Sequence, residues 1–270
     1  MTLILSPSLV LTSPTQYDRT TPVFGWHNLV TVAGTVADLE EDFFPAANLA
    51  NPATNLFWRS TSTAVQYVTF AVNEEESIDY IGLARHNLGS AGVVVEVEVR
   101  LYDSEEWAPL IDGFVVATDA PILIRFLETS ATGIRLKLTP LETVPQIAVV
   151  HIGKMLVMPI GIPVGHTPLI DGRTTRTAAG NSEAGDFLGS IVLSQKLSTS
   201  VSFQFLEDHW YRANMRPMVR CGRGSTFFFS GLPSSHPEEA GYSWLVSDPR
   251  PDFIEAGWVN ISLDIGGIVE

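Results

Sequence analysis

Apolar side chains recur at every second position over long parts of this chain, and that spacing predicts strands. From Val93 to Tyr102, Val93, Val95, Val97, Val99 and Leu101 fall on one side and Glu96, Glu98 and Arg100 on the other, so the strand has a dry face and a wet face. Tyr67 to Val72 alternates in the same way, as does Val259 to Ile265. Shorter apolar runs at Ile78 to Leu83, Phe114 to Val116, Ile122 to Phe126, Ile134 to Leu138 and Ile147 to Met158 read as buried strands. In the second half, Ile191 to Leu193, Val201 to Phe205, Phe227 to Phe229 and Tyr242 to Val246 read likewise. Turn signals such as Asp112-Gly113, Pro121 and Thr132-Gly133 come about every 10 residues, the rhythm of an antiparallel sandwich or barrel.

The start of the chain, residues 1 to 36, alternates short apolar runs (Leu3 to Leu5, Leu9 to Leu11) with Ser, Thr and Pro and predicts edge strands, with Phe24 and Trp26 closing the core. Asn48, Asn51, Pro52 and Asn55 predict successive tight turns, because Asn tolerates left-handed backbone and Pro fixes φ. Phe57 and Trp58 would pin that loop to a sheet. Arg85, His86, Asn87 and Gly89 predict a polar loop at a sheet end. One segment, Glu207 to Met215, reads as helix: acidic residues open it, Arg212 and Arg216 lie near its end, and Pro217 stops it.

Pro159, Gly161, Pro163, Gly165 and Pro168 crowd ten residues and mark a linker. The expected fold class is therefore mainly β, with two antiparallel β-sandwich domains: residues 1–158, a linker at 159–168, and residues 169–270 with the short helix. Asp171 to Gly189 is rich in Thr, Ala, Gly and Asn with little to bury, and predicts an extended loop that orders against a partner.

Of the 270 residues 45% are hydrophobic and only 17% charged, a balance suited to a subunit that buries surface in an assembly. The formal charge of −14 disfavours nucleic acid and anionic lipid, both of which call for a cationic face. The most hydrophobic window, Ile147 to Val164, is broken by His151, Lys154, Pro159 and Pro163, so no membrane span is expected. The first residues lack the cationic flank of a secretion signal. Cys221 stands alone, which leaves no disulfide framework, and beside an aromatic strand it reads as a small core residue.

No reacting constellation emerges. The six histidines show no metal-ligand spacing, no GxSxG elbow precedes a helix, and the Gly-rich residues 222–225 lack the Lys-Ser/Thr ending of a phosphate loop. A paired-carboxylate site is tertiary and invisible at this level. The expectation is a chain that is not an enzyme and takes no cofactor. Acidic clusters at Asp38 to Asp42 and Glu74 to Glu76 read either as solvated loops or as calcium ligands. Asn48, Arg85, His86, Asn87 and Trp107 could line a rim where an aromatic sits beside amide and guanidinium donors, which suits a sugar ring; equally, the asparagines could hold loop backbone and Trp107 could pack on the core.

FPAANLANPATNLFWRST, VTFAV and IDYIGLARHNLGSAGVVVEVEVRLYDSEEW resemble the galactose-binding-like jelly rolls of discoidin type found in tail and virion proteins of bacterial viruses. The match covers about residues 30 to 158, with Glu105 and Glu106 where that pattern more often has an Asp-Gly turn. SIVLSQKLSTSVSFQFLEDHWYRANMRPMVRCGRGSTFFF and GWVNISLDI resemble the β-sandwich of distal tail and baseplate proteins of long-tailed phages, which form rings continuing the tail tube. The resemblance implies a structural virion protein of the tail tip or baseplate, made in the host cytoplasm. It further implies a homo-oligomer, six-fold or three-fold, beside tail-tube and other baseplate proteins, with a host glycan as a further partner. The alternatives are a stand-alone carbohydrate-binding module and an accessory chain of a glycoside hydrolase.

Overall fold

The computed structural model describes residues 4–5, 9–11, 21–72, 77–102, 104–163, 165–233, 235–254 and 257–268. In chain order the strands begin with β1 (Ile4–Leu5), β2 (Leu9–Leu11), β3 (Val23–Gly25), β4 (Thr35–Ala37), β5 (Trp58–Arg59) and β6 (Gln66–Ala71). Next come β7 (Ser77–His86), β8 (Val94–Leu101), β9 (Trp107–Val115), β10 (Ile122–Thr139), β11 (Gln146–Gly153) and β12 (Leu156–Val157). The last six are β13 (Arg173–Asn181), β14 (Phe187–Glu207), β15 (Thr226–Ser230), β16 (Gly241–Leu245), β17 (Asp252–Ile254) and β18 (Trp258–Gly267). The fold is mainly β; among the described residues the registered pairings are antiparallel apart from that of β2 with β10, which is parallel. The chain forms two compact units: unit 1 holds residues 1–159 and 226–242, unit 2 holds 160–225 and 243–269.

Unit 1 is built around β10. Its first half pairs with β7, its second half with β6 and β8, and the register shifts between Arg125 and Thr129. Burial follows the sequence: Ile122 to Phe126 is buried throughout, whereas from Ile134 onward Ile134, Leu136 and Leu138 are buried and Arg135 and Lys137 face outward. The core between the layers gathers Trp58, Val68, Phe70, Ile81, Leu83, Val95, Val97, Ile124, Leu136 and Val150. A smaller set, β12–β3–β15, lies in the same unit. There Phe228 presses on Gly82 of β7 so closely that a Cβ at residue 82 would sit 2.4 Å from its ring.

Unit 2 has β14 paired with β18, and β18 with β16 and β17. Val201, Phe203, Val259, Ile261, Leu263 and Ile265 are buried, and the helical residues Tyr211, Met215 and Met218 are buried with them.

The structure differs from the sequence reading in several places. Asp112-Gly113 lies inside β9 instead of turning, and Ile147 to Met158 divides into β11 and β12. Arg85 and His86 end strand β7 rather than opening a loop. The runs at 122–126 and 134–138 are one strand, because Thr132-Gly133 does not turn: Gly133 lets the Trp107 ring approach to 3.1 Å of where a Cβ would stand. The runs at 191–193 and 201–205 likewise belong to one strand, β14. Asp171 to Gly189 is largely a β-hairpin, not a loop. Pro217 does not end the helix: Asp208–Trp210 is α-helical, Tyr211–Met215 is a π turn, and Arg216–Cys221 continues as α-helix. The wider turn and the place of Pro217 at the start of the new α segment remove the need for its missing N–H. Cys221, carried to the end of that helix, is exposed rather than a core residue.

Candidate functional site

Asn48 lies in the 3-10 turn Ala46–Ala50 and donates through Nδ2 to the Phe57 carbonyl at 2.9 Å. Trp58 follows, fully buried, its indole N–H donating to Leu39 O at 3.0 Å. Phe57 stacks on Phe44 at 4.4 Å, with the Arg59 guanidinium 4.5 Å over the Phe44 ring. At the end of β7, Asn87 clasps the chain before β11: its Nδ2 donates to Val144 O at 3.0 Å and its Oδ1 accepts the Gln146 N–H at 2.8 Å. The amides of both asparagines are thus spent on backbone. His86 is buried, and its Nδ1 accepts the Leu88 N–H at 3.3 Å. Arg85 points into solvent from a left-handed backbone (φ 53°).

Trp107 belongs to a different surface, the outward face of β6, β10, β8 and β9. Arg135 lies 4.3 Å from the Tyr67 ring centre and 4.5 Å from that of Trp107, while Arg100 lies 5.3 Å from Trp107. Glu98 pairs with Arg135, and Glu96 with Lys137 at 2.9 Å. The indole is therefore already occupied by cations. The structure brings His86 and Asn87 together by sequence, and sets Asn48 and Trp107 on other elements.

Asp38 and Glu40 each accept a backbone N–H, from Tyr67 at 3.2 Å and Ala46 at 2.7 Å, and Glu41 pairs with Arg59 at 3.4 Å. Glu74 to Glu76 lie outside the described residues. Among the described residues no group of three His, Cys, Asp or Glu is placed to hold a metal ion, and no helix is long and apolar enough to cross a membrane.

Among the buried groups of unit 1, His86, His151 and Asp79 have displaced pKa values. Burial lowers His86 and His151 to about 4 each, the second opposed by the Gly25 carbonyl. Burial raises Asp79 to about 6 against the pull of the Met155 N–H and Arg125. His151 packs edge-on to Phe228 and Tyr242 at 5.3 and 5.7 Å, a core position.

Unit 2 carries two features, one over the segment read from sequence as an extended loop and one that the sequence did not single out. The first is an arm. β13 and the outer half of β14 pair only with each other among the described residues, and every residue from 173 to 196 is exposed except half-buried Ser182. The tip is closed by Ser182 N–H to Asp186 O at 2.8 Å and Gly185 N–H to Ser182 O at 2.9 Å. Phe187, Leu188, Ile191, Val192 and Leu193 are each more than half exposed, up to 71% at Ile191. The apolar run 191–193 was visible in the sequence, but nothing there tells an exposed strand from a buried one. The second feature is a groove on the outward face of β14, β18 and β16. It has a part of about 490 Å³ beside Trp244 and a part of about 530 Å³ beside Arg250, and the two share Val246 and Asp264.

Comparison with known proteins finds no matching family model and no matching curated protein. Among solved structures, CpGH89CBM32-5 from Clostridium perfringens, in complex with GalNAc-beta-1,3-galactose, aligns at 14% identity over 44% of this chain and 93% of its own, with a TM-score of 0.40. Chitosan-binding module 1 of a chitosanase/glucanase from Paenibacillus sp. IK-5 aligns at 16% identity over 47% of this chain and 98% of its own, TM-score 0.40. A pectin-binding carbohydrate-binding module aligns at 16% over 51% and 96%, TM-score 0.39. Each is similar to about half of this chain, and likeness at that level decides neither ligand nor role.

Proposed function

We propose that this chain is a non-catalytic structural subunit that joins copies of itself through the β13–β14 arm. The setting we propose is the tail tip or baseplate of a long-tailed bacteriophage, in a six-fold or three-fold ring around or below the tail tube. The observation that carries the reading is the arm. A two-stranded hairpin is marginal by itself in water, and this one holds five large apolar side chains in solvent with both ribbon edges open to further pairing. A second copy is the occupant favoured by charge: Arg173, Arg176 and Lys196 outnumber Glu183 and Asp186, so the arm is net cationic in a chain of formal charge −14. The virion setting draws on the sequence resemblance of both halves to tail proteins.

Mass photometry of the whole chain, beside a variant with residues 174–195 replaced by Asn-Gly, tests this. The expected result is a closed oligomer of defined copy number for the whole chain and a folded monomer for the variant. A whole chain that stays monomeric at micromolar concentration and binds sugar would instead support the rival reading, a carbohydrate-binding module that works alone.

A further inference from the structure

The groove of unit 2 lies at the base of the arm, with Lys196 at its edge. Register builds its floor. Across β14 and β18, Ser198 stands opposite Gly266, Ser200 opposite Asp264 and Ser202 opposite Ser262; across β18 and β16, Trp244 stands opposite Gly266. Directly opposed residues share a face, and the intervening Val201, Phe203, Leu263 and Ile265 are the buried ones, so this polar set projects outward. Gly266 has no side chain, and the Trp244 indole lies across it: a Cβ at 266 would meet Nε1 at 3.0 Å and Cε2 at 3.1 Å. The sheet thereby carries an aromatic plate, half exposed, at the wall of the groove.

From the plate toward the far part the strand face is hydroxyl-rich. Ser262 Oγ lies 3.3 Å from Ser200 Oγ and 3.0 Å from Ser202 Oγ. Asp264 stands where the two parts meet and accepts the Ser247 hydroxyl through Oδ2 at 2.8 Å. Arg223 and Arg250 line the far part and are offset there by Asp248 and Asp264. Each part falls within the roughly 300–1,000 Å³ of small-molecule sites.

We propose that this groove binds an oligosaccharide, one pyranose ring stacked on Trp244 with its hydroxyls on Asp264 and Ser200, and the next ring in the part lined by Ser262. A pyranose has an apolar C–H face for the indole and equatorial hydroxyls that a carboxylate and serines satisfy together. Two cavities in line accept a chain rather than one sugar. A nucleic acid would need a continuous cationic track, and here Asp248 and Asp264 stand among Lys196, Arg223 and Arg250.

Isothermal titration of the whole chain with tetra- to hexasaccharides of glucose, galactose and N-acetylglucosamine, in α and β linkages, tests the assignment. At least one series binds, Trp244→Ala and Asp264→Asn each weaken it at least ten-fold, and Trp244→Phe keeps most of it. Because loss of the indole uncovers Gly266 and can disturb the sheet, Ser262→Gln serves as a second variant: it fills the floor, and it abolishes binding without moving the melting temperature. Absence of binding across the set overturns the proposal, as does binding that survives both Trp244→Ala and Asp264→Asn. Binding lost in Arg85→Ala or Trp107→Ala but kept in the groove variants also overturns it, and places the sugar on unit 1. None of these outcomes depends on the copy number measured for the arm.

Discussion

His86 and His151 are held neutral inside unit 1, with pKa values near 4 against an ordinary 6.5, so each favours the folded state fully above pH 6.5. That contribution is lost as pH falls from 6.5 toward 4, by up to about 3 kcal/mol for each imidazole. Asp79 acts in the opposite sense: raised from 3.8 to about 6, it favours the fold most below pH 3.8, and loses that contribution as pH rises through 6. Unfolding in urea across pH 7.5 to 4 should therefore show stability falling on acidification. The fall should be steeper between pH 6 and 4 in Asp79→Asn and shallower in His151→Phe. Gly82→Ala should cost about 1–3 kcal/mol in the same assay, because Phe228 occupies the space a methyl needs. Trp58 was legible as an anchor, since a large aromatic between a turn run and a strand has few other uses. The commitment of Asn48 and Asn87 to backbone was one of two open readings. Only the partners Phe57, Val144 and Gln146 decide it, and those are set by tertiary folding.

At the scale of elements, alternation located the strands with one wet face, β6, β8 and β18, because each carries its own polar–apolar contrast. It failed where that contrast vanishes. The arm is wet on both faces, so its Thr, Ala and Gly residues look like loop, and a strand running through Thr132-Gly133 looks like two. The helix was found and cut short at Pro217, since a π turn leaves no periodic trace in nine residues. If the arm's apolar side chains make the contact, Phe187→Asp with Ile191→Asp should abolish association in sedimentation velocity. The urea midpoint of the subunit should stay within experimental error, because neither side chain is buried in the isolated chain.

For the molecule as a whole, the low charge density and the formal −14 are compatible with close neighbours only where some surface offsets the repulsion. The arm is one segment with the opposite sign; the helical residues 211–224, with Arg212, Arg216, Arg220 and Arg223, are another. Association should accordingly slow as salt is raised from 0.05 to 0.5 M, and Arg173→Glu with Arg176→Glu should slow it further at low salt, as stopped-flow light scattering would record. The tail setting proposed above rests on a resemblance alone, because rings and partners are properties of surfaces, and surfaces are where the sequence is least constrained by packing. One strand links the two scales. β14 runs 21 residues from Phe187 to Glu207, its last part clamped in the unit 2 sheet and its first part forming the arm. With no break between anchor and lever, whatever grips the lever inherits the pitch of that sheet. In the ring we propose, a change of a few degrees in the twist of β14 would alter how many subunits complete a circle.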